Sequence, residues 1–253
     1  MALERKIVDV DGRRTAVITG GDGAPLVFLH GGGIVEGFDC FEPLTERHRF
    51  VAPQMPGFDR TDRLPAVGGI DEMVAHTART LDVLGIDSFA LVGHSLGGWV
   101  AASLAAAHPD RTRVLVVSAP YGLDVPAHPI ARVPEMEPAE VYATLTSVDS
   151  IWDGLLPPAV DAAEFEAARA EEGRSMAGFV PGPFDPALPA KLATLRMPIL
   201  IQWGAVDRIV PPEHLPSWEA ALPEAAVEVY PGIGHLLYHE HRPAVDAIGA
   251  FAR

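Results

Sequence analysis

Short apolar runs alternate with longer segments of helical period along most of the chain. The apolar runs have strand length and lie at residues 26–29, 89–92, 114–117, 199–203 and 227–230, with a weaker one around 50–52. Between them, the spacing of apolar residues predicts helices over 71–84 and 96–107, the second ending before Pro109. Strands that are apolar throughout and alternate with helices are typical of parallel sheets covered on both faces. The pattern therefore predicts an α/β fold.

The first strands differ from this pattern. Residues 7–10 and 15–19 are β-prone and flank Asp11-Gly12, a dipeptide that supplies the positive φ angles of a tight hairpin turn. The sheet is therefore predicted to open with an antiparallel pair.

The alternation also stops between about Tyr121 and Leu195, where no strand pattern is evident and Pro, Glu and Ala accumulate. This segment is too long for a connecting loop. Its large apolar side chains need burial, which disfavours disorder; they are Trp152, Leu155, Leu156, Phe165, Met176, Phe179 and Phe184. We expect a core domain formed by residues 1–120 and 196–253, with residues 121–195 inserted as a helical cap, or lid, over the sheet.

Composition narrows the functional classes. With 19 basic and 34 acidic residues the chain has a net charge of −15, which opposes binding to nucleic acid or to anionic membranes. The first residues lack the apolar core of a secretory signal, and no later stretch approaches the ~18 apolar residues of a membrane span. Cys40 is the only cysteine, so neither an internal disulfide nor a zinc-knuckle spacing is available. These features predict a cytoplasmic protein that acts on a small molecule.

A Gly-x-Ser-x-Gly motif, Gly93-His94-Ser95-Leu96-Gly97, lies where a predicted strand ends and a predicted helix begins. A serine in such a sharp turn presents its hydroxyl above the sheet, and the flanking glycines let neighbouring segments approach. The free amides and positive dipole end of the helix favour a developing oxyanion. Ser95 is therefore predicted to be a nucleophile, with the Leu96 amide as an oxyanion donor. The alternative is a tight turn with an N-capping serine.

These residues resemble the α/β-hydrolase superfamily, whose nucleophile elbow matches Gly93 to Gly97 and whose oxyanion loop resembles His30-Gly31-Gly32-Gly33. The resemblance runs nearly end to end and implies a mostly parallel, eight-stranded sheet flanked by helices, with a helical cap. It also implies a second oxyanion amide from Gly32, with Gly33 a close competitor. His30 is expected to hold its own loop through hydrogen bonds.

A serine nucleophile needs a base within hydrogen-bond reach and a third group that fixes the tautomer of that base. Of the ten histidines, His235 follows the last strand, where the family carries its histidine, and Asp207 follows the penultimate strand, where the family carries its aspartate. Asp124 is a positional alternative for the acid. A metal site formed by His235 with His239 and His241 is the weaker interpretation, and nothing else in the sequence asks for a metal or a cofactor.

The resulting prediction is a two-step acyl transfer without a cofactor, in which a small to medium, hydrophobic carboxylic ester is cleaved. Relatives with the same triad cleave carbon–carbon bonds in ring-fission diketones, and this reaction stays an alternative. Relatives that open epoxides or remove halogens use an aspartate nucleophile, which Ser95 disfavours. From a different class, a hydrolase-like ligand receptor would keep the triad while its lid signals occupancy. The sequence predicts no oligomeric state.

Overall fold

The computed structural model describes residues 2–32, 38–64, 69–133, 136, 138–148, 170, 174 and 184–253. Within these ranges eight strands form one sheet in the order β1-β2-β4-β3-β5-β6-β7-β8. The strands are β1 (Glu4–Val10), β2 (Arg13–Gly20), β3 (Ala24–Leu29), β4 (His48–Pro53), β5 (Phe89–His94), β6 (Thr112–Ser118), β7 (Ile199–Gly204) and β8 (Ala226–Tyr230). Strand β2 pairs antiparallel with β1 and β4, and the remaining neighbours pair in parallel. The predicted mostly parallel sheet is confirmed.

The opening hairpin has the predicted turn. Asp11 and Gly12 both have positive φ angles, of 55° and 78°, and Gly12 N donates to Asp9 Oδ1 at 2.9 Å. Two successive positive φ angles match the right-handed twist of the flanking strands. The turn sets the register Val10 opposite Arg13.

Helices cover both faces of the sheet. They are α1 (Ile70–Val83), α2 (Leu96–Ala107), α3 (Pro138–Leu145), α4 (Leu188–Leu192), α5 (Leu215–Ala221), α6 (Leu237–Glu240) and α7 (Arg242–Phe251), with 3₁₀ helices at Phe38–Glu46 and Pro212–His214. Helices α1 and α2 pack into one hydrophobic core, whereas α7 and the first 3₁₀ helix pack into a second core on the opposite face. None of the helices described is long and apolar enough to cross a membrane.

The sheet topology brings four loops to one edge. Strands β3, β5, β7 and β8 run in the same direction, so the loops that follow them lie at the carboxyl end of the sheet. These loops carry Gly32, Ser95, Asp207 and His235. In open parallel sheets this edge is where ligands bind.

Nearly half of the predicted cap lies outside the described residues, including Trp152, Leu155, Leu156, Phe165, Met176 and Phe179. At its base, Gly122 and Phe184 form an isolated parallel bridge, and Asp185 N donates to Gly122 O at 2.8 Å. The predicted burial of Phe184 is wrong: the residue is 41% exposed, and its bridge to Gly122 is a backbone contact. Leu188 and Leu192 of α4 are fully buried in the core.

Candidate active site

Ser95 occupies a strained turn between β5 and α2. Its backbone angles are φ 56° and ψ −121°, a combination that is unusual for a residue with a side chain. Two hydrogen bonds, one to β6 and one from the loop that follows it, hold the turn: Ser95 N donates to Ser118 O at 2.9 Å, and Tyr121 N donates to Ser95 O at 3.1 Å. Strain that is fixed in this way is typical of a functional position.

The glycines on either side of Ser95 are required by close backbone approaches. A Cβ on Gly93 would lie 2.3 Å from the Gly97 oxygen, and a Cβ on Gly97 would lie 2.1 Å from the Leu29 oxygen. Both distances are far below any normal carbon–oxygen contact, so only glycine fits. Helix α2 thereby starts directly against the end of β3, which leads into the candidate oxyanion loop.

His30 orients that loop. Its Nε2 accepts a hydrogen bond from Met55 N at 3.0 Å, so the ring proton is on Nδ1, which donates to Gly31 O at 2.7 Å. Burial lowers the pKa of His30 to about 4, so the ring stays neutral and keeps this pattern at neutral pH. The two expected hydrogen bonds of the ring therefore tie the loop down.

The Gly32 amide is the candidate donor that this arrangement orients. In a trans peptide the N–H points away from the preceding carbonyl, so the bond from His30 to Gly31 O also fixes the direction of the Gly32 N–H. Gly31 adjoins the candidate nucleophile, since a Cβ on Gly31 would lie 3.1 Å from Ser95 Cβ. The Leu96 amide, in the first turn of α2, has no intrahelical acceptor. The competing donor, Gly33, lies outside the described residues.

Asp207 and His235 are in direct contact. His235 Nδ1 lies 2.7 Å from Asp207 Oδ2, while Asp207 Oδ1 accepts hydrogen bonds from the amides of Ile209 at 2.8 Å and Val210 at 2.9 Å. Both side chains are buried, and a carboxylate can only accept hydrogen bonds, so the ring proton of His235 is placed on Nδ1. The Nε2 lone pair is then free to take a proton, as a general base requires.

The alternatives for the acid and for a metal site find less support. Asp124 is exposed, whereas Asp207 is buried against His235. His239 lies within the short helix α6, and His241 lies between α6 and α7. Among the residues that the structure describes, no group of three or more histidine, cysteine or acidic side chains is arranged to hold a metal ion.

Two residues near Ser95 escaped the sequence-based predictions. The phenol of Tyr121 is buried and lies within hydrogen-bond reach of the Ser95 side chain. Burial, and secondarily the charge of Asp207, raises the pKa of this phenol, so it stays protonated. The ring of His94 packs on that of His235, with 4.7 Å between their centroids. His94 occupies a variable position of the Gly93–Gly97 motif and Tyr121 belongs to no motif, so the only available signal was position: His94 ends β5 and Tyr121 closely follows β6.

The fold and this edge of the sheet define an α/β hydrolase. The model of the alpha/beta hydrolase family matches residues 26–247, and the chain belongs to this family.

Similarity to individual proteins points in several directions. Polyketide synthase ThaQ of Burkholderia thailandensis is 31% identical over an alignment of 261 positions, which covers 95% of this chain but 12% of that protein. The 2-hydroxy-6-oxo-6-phenylhexa-2,4-dienoate hydrolase of Burkholderia cepacia is 28% identical over 252 residues, with 90% of this chain and 87% of that enzyme covered. The solved structure of a hydrolase of the same name from a Rhodococcus species has a TM-score of 0.79 at 22% identity and covers 98% of this chain and 97% of its own.

Proposed function

We propose that the protein is a serine hydrolase that cleaves carboxylic esters, with Ser95 as nucleophile, His235 as general base and Asp207 as the acid that orients the base. The observation that carries this proposal is the buried Asp207–His235 hydrogen bond of 2.7 Å at the sheet edge where Ser95 sits in a strained turn. A nucleophile, a base and an orienting carboxylate are the components that acyl transfer requires.

In the first step His235 Nε2 takes the proton of Ser95 as Oγ attacks the ester carbonyl. The resulting oxyanion accepts hydrogen bonds from the amides of Leu96 and Gly32, each of which supplies about 3 kcal/mol of transition-state stabilisation. The imidazolium of His235 then protonates the departing alcohol. Water, deprotonated by the same base, attacks the acyl-enzyme and releases the acid, which regenerates Ser95 without a cofactor.

A neutral, hydrophobic ester suits the surroundings of these residues. An apolar cavity of about 20 Å³, the space of about one water molecule, adjoins His94 and the oxyanion loop, and its walls include Phe28, Phe38, Phe41 and Leu237; its lining supports the apolar character proposed for the substrate, not a substrate size. The net charge of −15 disfavours accumulation of anionic substrates near the protein. Hydrophobic acyl esters without charge are therefore the proposed substrates.

Residues 121–195 are proposed to form the cap that selects among these esters. Two contacts support this role. Arg208, next to the proposed acid, donates to the Thr146 carbonyl at 2.9 Å, and Leu236 N, next to the proposed base, donates to the Leu145 carbonyl at 3.0 Å. The end of α3 is thus bonded to both loops that carry the base and its partner.

Carbon–carbon hydrolysis is the second candidate, favoured by the similarity to the Burkholderia cepacia dienoate hydrolase over nearly the full length of both chains. The two reactions make different demands on the leaving group. An ester releases an alkoxide that His235 can protonate directly, whereas a diketone releases a carbanion that must be stabilised first. Parallel assays with p-nitrophenyl butyrate and with a ring-fission dienoate separate them, and a kcat/KM at least 100-fold higher for the dienoate would replace the ester proposal.

The proposed nucleophile is tested by labelling with a fluorophosphonate and mapping the adduct by mass spectrometry. We expect a single adduct on Ser95, abolished in Ser95→Ala together with ester turnover. Ser103→Ala is the matched control, because Ser103 is a second buried serine on α2. Labelling elsewhere, or turnover that survives in Ser95→Ala, would overturn the mechanism. Labelling of Ser95 without turnover of either substrate would instead favour a ligand receptor.

A further inference from the structure

A row of polar side chains crosses the sheet behind the proposed base. His94 on β5 pairs with Ser118 on β6, Ser118 pairs with Gln202 on β7, and Gln202 pairs with Glu228 on β8. Directly opposed residues on neighbouring strands have their side chains on one face of the sheet. These four residues, together with Tyr238 of α6, form what we call the polar row; Tyr230 of β8 lies beside it, outside the path from Gln202 to His94.

The polar row is linked by consecutive hydrogen bonds. His94 Nδ1 lies 2.9 Å from Ser118 Oγ, and the Tyr238 hydroxyl bonds both to Ser118 and, at 3.1 Å, to Gln202 Oε1. The Gln202 amide donates to the Tyr230 hydroxyl at 2.9 Å and to Glu228 Oε2 at 3.3 Å. Tyr230 itself donates to the Glu228 carboxylate through a short bond. Buried polar groups are costly unless bonded, and here each has a partner.

The direction of these bonds is set at the far end of the row. Gln202 Nε2 faces the Glu228 carboxylate and, at 3.1 Å, the Ala244 carbonyl, and neither group can donate. Gln202 Oε1 therefore faces Tyr238 and accepts its hydroxyl proton. The Tyr238 oxygen then accepts from the Ser118 hydroxyl, and Ser118 Oγ accepts from His94 Nδ1–H. Ser118 thus presents two acceptors to His94, its hydroxyl and its backbone carbonyl, and both favour the neutral tautomer with the proton on Nδ1.

His94 meets the proposed base at the near end of the row. The two rings lie 4.7 Å apart between centroids, at an interplanar angle of 45°. Asp207 holds His235 at Nδ1, so the orientation of the ring about that bond depends on the groups that pack against it, and the His94 ring is one of them. Burial first, and then the neighbouring charges of His235, His239 and His30, hold the pKa of His94 well below its ordinary value. His94 therefore stays neutral and places no positive charge beside the imidazolium that forms on His235.

We propose that the polar row is a positioning network, which fixes the tautomer of His94 and holds its ring against His235 so that the base stays aligned with Ser95. This inference rests on the proposed function of His235 as general base. In this role His94 touches neither the substrate nor the reacting atoms and acts only through His235.

Two single-hydroxyl deletions test the network. Tyr238→Phe keeps the ring but removes the link between Gln202 and Ser118, which frees the Ser118 hydroxyl to donate to His94 Nδ1. Tyr230→Phe is the matched control, since the Gln202 amide stays fixed by Ala244 and Glu228.

With p-nitrophenyl butyrate we expect kcat to fall about tenfold in Tyr238→Phe, with KM within about twofold. This is the lower end of the scale seen when an outer hydrogen-bond partner of a metal-ligating histidine is removed. The acid limb of its pH profile should move to lower pH, because a looser His235 loses part of its bond to Asp207. Tyr230→Phe should stay within about twofold of wild type in both constants.

Nitrogen-15 NMR of the histidine rings gives a readout that is independent of turnover. In the wild type we expect the His94 signals of an Nδ1–H tautomer between pH 6 and 8, and a mixture of tautomers in Tyr238→Phe. An Nε2–H tautomer in the wild type, or kcat and pH profiles that change equally in the two variants or in neither, would overturn the proposal. Absence of ester turnover in the wild type would refute the proposed function, while the NMR result still decides the tautomer. If Tyr238→Phe does not fold, Ser118→Ala breaks the same link.

Discussion

Replacing Gly97 with alanine adds one carbon atom at the point where α2 passes the end of β3. That Cβ would lie 2.1 Å from the Leu29 oxygen and 2.4 Å from the His30 oxygen, and contacts below about 3 Å are essentially never seen. Both obstacles are backbone atoms, so no side-chain rotation relieves the overlap and the strand or the helix must move by about 1 Å. Alanine inside a helix ordinarily stabilises by about 1 kcal/mol over glycine, whereas overpacking of this kind costs about 3 kcal/mol or more. We expect a net loss of about 2 kcal/mol.

Gly249→Ala is the control, because a Cβ at this glycine of α7 would meet only the end of the Leu44 side chain, at 3.1 Å. It should be neutral or stabilising by up to about 1 kcal/mol. Urea unfolding followed by tryptophan fluorescence measures the free energy of unfolding of both variants. Movement of His30 also displaces the Gly32 amide, so kcat/KM for p-nitrophenyl butyrate should fall about 100-fold in Gly97→Ala and stay unchanged in Gly249→Ala. A Gly97→Ala protein as stable and as active as the wild type would contradict the close approach of α2 and β3.

Three further predictions concern the site and its buried histidines. In Asp207→Asn the side-chain oxygen still accepts from the two backbone amides, so the NH₂ group faces His235. His235 must then carry its proton on Nε2 instead of Nδ1, which should lower kcat about 10⁴-fold without unfolding the protein. A loss of less than about tenfold would contradict this. Tyr121→Phe removes the phenol beside the nucleophile and should reduce kcat roughly fivefold, the worth of one hydrogen bond, so an unchanged kcat would assign Tyr121 to packing alone. Burial lowers the pKa values of His30 and His76 to about 4 in the folded protein, so the unfolded chain binds more protons between pH 6.5 and 4. Stability is then fully present above pH 6.5 and falls by about 3 kcal/mol per histidine towards pH 4, measurable as urea midpoints across that range; His76→Gln should flatten the slope, and an equal slope in that variant would be the contrary result.

The sequence predicted best those features whose cause is local. The Asp11-Gly12 turn depends on two residues. The bounds of α2 depend on a run of mostly small side chains that ends before Pro109. Both were predictable without knowledge of the sheet. Ser95 could be proposed because its strained turn imposes glycines that are visible in the sequence. The exposure of Phe184 was not predictable, since apolarity does not reveal that only the backbone of this residue makes the contact.

Contacts between strands were accessible only in part. The proximity of Asp207 to His235 can be inferred once β7 and β8 are taken as parallel neighbours. The distance between the two side chains, and the two backbone amides that hold the carboxylate, cannot be inferred in this way. The role proposed for His94 depends on Ser118, which stands opposite it on β6, and on Gln202, which stands opposite Ser118 on β7; the three residues are far apart in the chain. Register across a sheet is set by packing and connectivity together, so polar residues without a motif gain meaning only when their partners are known.

The pairing of Gly122 with Phe184 closes a loop of the chain between β6 and β7. The polypeptide leaves the sheet after β6 and comes back beside its own point of departure. The entropic cost of closing a loop rises only slowly with its length, so an insertion within this interval would cost little through loop closure. Ser95, Asp207 and His235, the residues proposed for the chemistry, all lie outside the interval.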